Sequence, residues 1–439
     1  MRDKRVYLES LGCSKNLVDS EVMLGKLSEY ELTDSPNLAD VIIVNTCGFI
    51  NSAKEESINR ILTLADERKF GSTLVVSGCL SERYRDELKG LLPEVDIFTG
   101  VGDYEEIDRI VSKGGGSFFS DSIYLADENS PRLITGSNRH AYIKIAEGCN
   151  QNCSFCAIPN FKGRLQSRTV ESIEREIKSL VDRGFFEFTF ISQDSSSFGR
   201  DLGLRDGLID LIDMVDRVDG VKVARVLYLY PSTTTFDLID RVADSKKFQT
   251  YYDMPIQHIS DKMLRVMRRG FGRDRTIELL NYMKSKPNAF IRSSIIVGHP
   301  EERDADFKEV CNFLEDFEFD RVNIFEYSNE EDTTAFSMAQ IDSSVVSERV
   351  AILDDIVERT TLKSLQKMVG RECNSILEGV SDEHEYLLSA RPLIYAKDID
   401  GDILINDTLD MEKEVGRLYR VKIESLVGDR LIGAFMRAD

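Results

Sequence analysis

The sequence predicts an α/β protein with an N-terminal doubly wound parallel-sheet domain, a central partial (β/α)6 barrel and a small C-terminal antiparallel β-barrel. Three observations predict this fold class. Over residues 1–125, apolar runs alternate with helical patterns. Over residues 138–365, six strand-like runs alternate with further helical patterns. Over residues 369–439, apolar residues recur at every second position, as in strands with one buried face.

Length and composition are those of a globular protein with several domains. The chain has 439 residues, of which 42% are hydrophobic and 30% charged. The start of the chain lacks the apolar segment of a secretion signal, and no apolar run approaches the roughly 18 residues that span a bilayer. We therefore expect a cytosolic protein without a membrane partner. In that compartment, the eight Cys are expected to be metal ligands or free thiols.

In the first domain, three apolar runs each precede a Cys. Residues 6–8 precede Cys13, residues 41–44 precede Cys47 and residues 74–76 precede Cys79. The carboxyl ends of parallel strands meet at one edge of a sheet, so we expect the three thiols to converge there. Each also lies near a predicted helix start, where backbone N–H groups favour a thiolate. The pattern favours a three-thiolate cluster site over buried thiols that merely suit strand ends.

A second group of thiols, Cys149, Cys153 and Cys156, follows the apolar run 141–146 at C-x3-C-x2-C spacing. Thiolates this closely spaced select zinc, copper(I) or an iron–sulfur cluster. A structural zinc site needs four ligands, but the next Cys is Cys311. Three thiolates on a four-iron cluster would leave one iron open to a small molecule. An enzyme is therefore favoured, and a zinc knuckle or a structural cluster is the alternative.

The central domain has the strand and helix order of a β/α barrel. The predicted strands are 141–146, 185–192, 221–230, 251–256, 290–297 and 322–327. The predicted helices between and after them are 170–181, 208–218, 236–243, 276–283 and 307–317. Catalytic groups of such barrels collect beyond the carboxyl ends of the strands. We expect His258 and His299 to be satisfied by loop carbonyls and Cys311 to be a structural thiol.

The segments on either side of the barrel differ in character. Residues 112–137, with three consecutive Gly, are expected to link the first two domains. A charged helix over 348–368 leads to five predicted short strands at 376–379, 386–390, 403–405, 418–424 and 430–436. From Arg371 to Asp439 there are 9 Lys and Arg against 15 Asp and Glu. This balance does not favour phosphate binding, and Cys373 at the start of the domain is expected to be structural.

With Phe155 before its third Cys, the Cys149–Cys156 motif resembles the signature of the radical S-adenosylmethionine (radical SAM) superfamily. The resemblance implies that Cys149, Cys153 and Cys156 hold a [4Fe-4S] cluster whose open iron binds S-adenosylmethionine, the source of a 5′-deoxyadenosyl radical. Polar residues at the barrel rim would surround that cofactor. We expect Gln193 to bond its ribose or amino group and Arg292 to hold its carboxylate, the alternative for both being ordinary loop capping or salt bridging.

The segments 11–21 and 45–50 resemble the N-terminal domain of the methylthiotransferase family within that superfamily. In that family the Cys that correspond to Cys13, Cys47 and Cys79 hold a second [4Fe-4S] cluster, which handles the sulfur to be inserted. A second S-adenosylmethionine donates the methyl group. The last domain is similar in position and size to the TRAM domain. Residues 12–20, 157–168, 253–260 and 267–270 are similar to the branch that modifies an aspartate of ribosomal protein S-twelve. Ser14 and Lys162 depart from residues common in that branch, but neither is a ligand.

The resemblance implies a basic protein substrate, S-twelve, and a reductant protein as partners, and we expect a monomer. The net charge of −21 agrees with a basic partner. Transfer RNA is the alternative substrate, through methylthiolation of an adenosine. A non-catalytic two-cluster electron carrier is an alternative of a different class. The sequence does not identify the sulfur donor, the electron donor or the residues that hold the substrate.

Overall fold

The computed structural model of the chain describes residues 4–407 and 414–436. Its first domain is built on a parallel sheet of six strands in the order β2-β1-β3-β4-β5-β6. The strands are β1 (Arg5–Ser10), β2 (Glu31–Leu32), β3 (Val41–Thr46), β4 (Thr73–Gly78), β5 (Ile97–Thr99) and β6 (Gly116–Phe118). Strand β6 lies within the segment 112–137 that was expected to be a linker, so part of that segment is an edge strand of the sheet.

Helices cover both faces of this sheet. They are α1 (Ser14–Lys26), α2 (Asn51–Glu67), α3 (Cys79–Arg83), α4 (Arg85–Leu91) and α5 (Ile107–Ser112). Successive residues of a strand point to opposite faces. In β3, Val41 and Ile43 accordingly pack in one apolar cluster with α1 and α5, whereas Ile42 and Val44 pack in another with α2 and α4. The predicted doubly wound architecture is confirmed.

The central domain is a partial barrel of six parallel strands in chain order, together with a short antiparallel ribbon formed by β8 and β9. Its strands are β7 (His140–Lys144), β8 (Ala146–Glu147), β9 (Gln166–Ser167), β10 (Glu187–Ile191), β11 (Val223–Val226), β12 (Tyr251–Asp253), β13 (Phe290–Val297) and β14 (Arg321–Glu326). Its helices are α6 (Ile158–Lys162), α7 (Val170–Asp182), α8 (Gly207–Arg217), α9 (Phe236–Asp244), α10 (Asp261–Val266), α11 (Arg273–Lys284), α12 (Asp304–Phe317) and α13 (Ser343–Gln366). One apolar cluster joins the strands to the helices, which confirms the barrel.

The strand ladder is interrupted between β11 and β12. Ala224 forms an isolated bridge with Phe248, ahead of β12, and Leu229 N–H donates to the Asp253 carbonyl at 2.8 Å. The predicted strand 221–230 is therefore too long. Tyr228 has a φ of +64° and leaves the extended conformation. Its N–H donates to the side-chain Oδ2 of Asp253 at 3.0 Å instead of to a neighbouring backbone carbonyl. Tyr228 is thereby held just beyond the carboxyl end of β11.

The last domain is a closed barrel of five strands in the order β15-β16-β17-β19-β18. They are β15 (Glu372–Val380), β16 (Leu388–Pro392), β17 (Ile403–Asp407), β18 (Leu418–Val427) and β19 (Arg430–Phe435). The period-two pattern predicts that Tyr419, Val421 and Ile423 face inward; Val421 and Ile423 are fully buried, and Tyr419 is half-buried against the same apolar cluster. One pair, β17 with β19, is parallel, so the barrel is not wholly antiparallel as predicted. The chain enters β19 by a hairpin from β18, and β19 closes the barrel against a strand with the same direction.

This small barrel is joined to the amino-terminal end of the larger one. Glu187, the first residue of β10, is fully buried and accepts hydrogen bonds from Arg225 of β11 and from both Nη atoms of Arg391 of β16, the latter at 2.6 and 2.9 Å. Tyr251, the first residue of β12, donates to Asp400 at 2.9 Å. Burial by itself would raise the pKa of Glu187, but Arg225 and Arg391 lower it. The last domain is therefore anchored by a buried charge cluster at the end opposite the strand carboxyl termini.

His140 at this junction is expected to make the fold sensitive to acid. Burial lowers the pKa of His140 to about 3, and its Nε2 lies 2.9 Å from Thr189 Oγ1. The unfolded chain has the ordinary value of about 6.5 and takes up the proton first as the pH falls. His140 therefore supports the fold above about pH 6.5, and stability falls by about 1.4 kcal/mol per pH unit between that value and pH 3. Urea unfolding at pH 7.5 and 5.0 is expected to show a smaller loss for H140Q than for the wild type. An equal loss in both would contradict the assignment.

No helix of the described residues is long and apolar enough to cross a membrane.

Candidate functional site

Cys13, Cys47 and Cys79 come together at the carboxyl edge of the first sheet. Cys13 precedes α1, Cys47 follows β3, and Cys79 is the first residue of α3, directly after β4. Gly12 has a φ of +85°, and a Cβ there would lie 2.6 Å from the Cβ and 2.9 Å from the Sγ of Cys47. Only glycine leaves room for that approach, which brings the loop of Cys13 against Cys47.

Asparagine side chains hold the three loops together. Asn16 donates to the carbonyls of Leu11 and Thr46, both at 3.0 Å, and the Cys79 thiol donates to Asn16 Oδ1 at 3.6 Å. Burial raises the pKa of Cys47 to about 11 and that of Cys79 to about 12. The helix-start effect that the sequence suggested is thus outweighed by burial at these two thiols. They require a cation to become thiolates, as metal binding provides.

Cys149, Cys153 and Cys156 lie in the loop after β8. Gly148 has a φ of +76°, and a Cβ there would lie 2.2 Å from the carbonyl oxygen of Arg164. Cys149 N–H donates to the Gly163 carbonyl at 3.1 Å, and Cys156 N–H donates to that of Cys153 at 3.2 Å. Burial raises the pKa of Cys149 and Cys156 to about 12. The protein's own backbone contacts therefore fold the loop tightly around the three thiols.

Arg269, which the sequence analysis did not assign to a site, lies against the thiols of the Cys149–Cys156 loop. Arg269 Nη1 donates to Cys153 Sγ at 3.2 Å, and its guanidinium carbon lies 4.2 Å from the ring centroid of Tyr230. The Tyr230 hydroxyl is 3.5 Å from the same Sγ. Arg269 is almost fully buried and forms no ion pair with a carboxylate among the described residues. A negatively charged thiolate-ligated cluster would neutralise it.

The residues predicted to hold S-adenosylmethionine differ in how free they are to do so. Gln193 donates to Glu147, and its buried Oε1 has no hydrogen-bond partner among the described residues, so it is available to accept from a ligand. The Phe155 ring stands edge-on to that of His299, with the centroids 6.4 Å apart. Arg292 is already paired with Asp253 at 3.0 Å, so its charge is largely satisfied.

A buried cluster of four charges joins the two domains between the thiol groups. Lys144, the last residue of β7, pairs with Asp19 of α1 and with Glu147, the latter at 2.7 Å. Lys162 lies 3.4 Å from Glu147 and 3.7 Å from Asp19. Burial by itself would raise the pKa of Glu147, but the two Lys lower it to about 2. A Lys at the end of a buried strand was the sequence signal for this cluster, and it was missed.

The two thiol groups are neighbours across this domain interface. Ala157, which follows Cys156, packs in the same apolar cluster as Cys79. The Lys162 ammonium is close enough to Cys79 to oppose the pKa increase that burial causes there. Both groups therefore lie where the carboxyl ends of the two sheets face each other.

No three His, Cys, Asp or Glu side chains of the described ranges are arranged to hold a single metal ion. The prediction of iron–sulfur clusters over zinc rests on the three Cys of each group, because a structural zinc site needs four ligands. Of the other titratable candidates, His299 lies against the Cys149–Cys156 loop, with its Nε2 3.0 Å from Ser154 Oγ. The Nδ1 of His299 lies 2.6 Å from the Pro300 carbonyl oxygen, as predicted. The same prediction is wrong for His258, because its Nδ1 accepts from the N–H groups of Ile259 and Ser260. Cys311 is within α12 and Cys373 within β15.

Comparison with known proteins agrees with the predicted family and fold. Residues 5–100 match the family described as Uncharacterized protein family UPF0004, and residues 143–314 match the Radical SAM superfamily. Among solved structures, the radical S-adenosylmethionine methyltransferase TsrM from Kitasatospora setae has a similar fold. The TM-score is 0.53 at 13% identity, over 76% of this chain and 77% of that one.

Similarity to two relatives, both named ribosomal protein uS12 methylthiotransferase RimO, extends over nearly the whole chain. The protein from Sulfurovum sp. is 62% identical over 434 residues, which cover 99% of each chain. The protein from Aliarcobacter butzleri is 54% identical over 438 residues, which cover 99% of this chain and 98% of the relative. The chain therefore belongs to the RimO family of ribosomal protein uS12 methylthiotransferases, within the radical SAM superfamily.

Proposed function

We propose that this enzyme adds a methylthio group to the β-carbon of an aspartate in ribosomal protein uS12. The observation that carries the proposal is the position of two groups of three thiols on facing sheet edges. Neither group has a fourth Cys nearby, so a four-iron cluster at either one keeps an open iron. A single reaction that uses two such clusters explains why both groups lie at one interface.

Each thiol group has a distinct role in the proposal. Cys149, Cys153 and Cys156 hold the [4Fe-4S] cluster that binds S-adenosylmethionine, with Gln193, Phe155 and Arg292 around the cofactor. Cys13, Cys47 and Cys79 hold the second [4Fe-4S] cluster. With S-adenosylmethionine bound, the cluster of Cys149, Cys153 and Cys156 would supply a carbon radical that removes hydrogen from an unactivated carbon. The cluster of Cys13, Cys47 and Cys79 would supply a sulfur atom, and a second S-adenosylmethionine would supply the methyl group. Lys144, Lys162, Asp19 and Glu147 keep the two sites in register and exclude water between them.

The acidic charge of this chain suits a basic protein substrate better than an RNA. The chain carries a net charge of −21, and its last domain has 15 acidic against 9 basic residues. Nucleic-acid binding relies on Lys and Arg that displace counterions from phosphates. The names of the relatives agree with a ribosomal protein substrate. We also propose a cytoplasmic location and a protein reductant as electron donor, and a monomer stays a prediction.

Anaerobic incubation of the reconstituted enzyme with S-adenosylmethionine, a reductant and either uS12 or transfer RNA tests the function. We expect uS12 to gain one SCH3 in place of one hydrogen, located on an aspartate by tandem mass spectrometry, with 5′-deoxyadenosine formed alongside. Transfer RNA is expected to remain unmodified. Modification of an adenosine and not of uS12 would reverse the choice of substrate. Absence of 5′-deoxyadenosine in every reaction would favour an electron carrier.

A further inference from the structure

One cation at the interface of the two domains, Lys15, forms no ion pair among the described residues. Lys15 is in the first turn of α1, two residues after Cys13, and its ammonium lies 3.8 Å from the ring centroid of Tyr228. Within residues 4–407 and 414–436, the Lys15 side chain makes no hydrogen bond and no ion pair. A ring face attracts a cation but accepts none of the directed hydrogen bonds that three N–H donors can form.

Three neighbouring cations, Lys144, Lys162 and Arg292, differ from Lys15 in this respect. Lys144 and Lys162 share Asp19 and Glu147, and Arg292 is paired with Asp253. Lys15 therefore differs from these three in having no carboxylate within ion-pair distance among the described residues. Its position at a helix N-terminus is also unfavourable for a cation, because the helix dipole repels positive charge there. A residue that breaks a local rule without a structural gain commonly serves a functional site.

Tyr228 places this cation at the barrel mouth. Its N–H is held by Asp253 Oδ2 at 3.0 Å, and its carbonyl accepts from Ser195 N–H at 3.0 Å. The ring therefore extends from the carboxyl end of β11 toward the loop of Cys13. Lys15 therefore lies between the loop that carries Cys13 and the strand ends that surround Cys149, Cys153 and Cys156.

We propose that Lys15 binds the side-chain carboxylate of the target aspartate, and this inference rests on the proposed function. The β-carbon to be modified is bonded directly to that carboxylate, so a cation that holds the carboxylate also fixes the C–H bond. An acidic enzyme repels a carboxylate unless a local cation compensates.

The test pairs the enzyme variant K15M with an aspartate-to-asparagine variant of uS12, changed at the residue that mass spectrometry identifies as modified. For the wild type, kcat/KM is expected to be about 10- to 100-fold higher with aspartate than with asparagine, because a charged hydrogen bond is lost. K15M is expected to show a ratio near one, and K15R an intermediate ratio. Such a double-mutant cycle isolates the contact between the two groups.

If Lys15 had a purely structural role, or only neutralised the cluster of Cys13, Cys47 and Cys79, K15M would lower kcat/KM by the same factor for both substrates. Iron content and 5′-deoxyadenosine formation without uS12 are measured for each variant to establish that both clusters are present. The control K222M removes an exposed Lys that lies 5.0 Å from the ring of Phe186, remote from both thiol groups, and is expected to keep the wild-type ratio. An unchanged ratio in K15M, or a wild-type ratio near one, would overturn the inference alone. A wild type that leaves uS12 unmodified would overturn the proposed function first.

Discussion

Replacement of Cys79 by Ala is expected to abolish methylthio transfer while S-adenosylmethionine cleavage continues. Cys79 is buried beside Asn16 in the first domain, and the thiols of the barrel loop do not depend on it. Loss of a residue that merely supports a metal ligand costs about 10- to 100-fold, so loss of a ligand is expected to cost more than about 100-fold. Mass spectrometry of uS12 and quantification of 5′-deoxyadenosine measure the two activities separately, and iron content is expected to fall by roughly half.

Two matched variants complete this experiment. C153A removes a thiol of the other group and is expected to abolish both 5′-deoxyadenosine formation and methylthio transfer. C311A removes a thiol on α12 outside both groups and is expected to retain both activities and the full iron content. If C79A kept all its iron and its methylthio transfer, the second cluster would have to be assigned to other residues.

Glu187→Gln is expected to destabilise the junction of the central and last domains by roughly 3–5 kcal/mol. Glu187 is the carboxylate that both Arg225 and Arg391 contact in a fully buried setting. The amide keeps the shape of the side chain but leaves two guanidinium groups with too little negative charge around them. Urea unfolding followed by circular dichroism measures the change, and the last domain is expected to separate or unfold first.

Glu378 provides the control, because it contacts the same Arg391 at 2.7 Å from a position where its side chain is 27% exposed. A partly solvated ion pair contributes about 0–1 kcal/mol, so E378Q is expected to unfold close to the wild-type midpoint. Equal effects of E187Q and E378Q would show that burial of the charge cluster is not what fixes the last domain.

Short-range sequence patterns were sufficient to predict the architecture and to group the six Cys into two sets of three. Cys149, Cys153 and Cys156 are so close in sequence that almost any loop brings them together. Cys13, Cys47 and Cys79 are far apart in sequence, but each follows a predicted parallel strand, and such strands end at a common edge. The order of the six barrel strands was predictable for the same reason, since β/α units in series pair in chain order.

Pairing at long range was decided only by the tertiary structure. Arg269 reaches Cys153 across 116 residues, and Lys144 reaches Asp19 across 125. The parallel pairing of β17 with β19 likewise depends on how the small barrel closes. The amino-acid sequence by itself determined which residue types are available and which strand ends carry them. The packing of one domain on another decides which charges neutralise each other and leaves Lys15 without an ion pair among the described residues. A side chain's partner is set by folded distance and not by chain position.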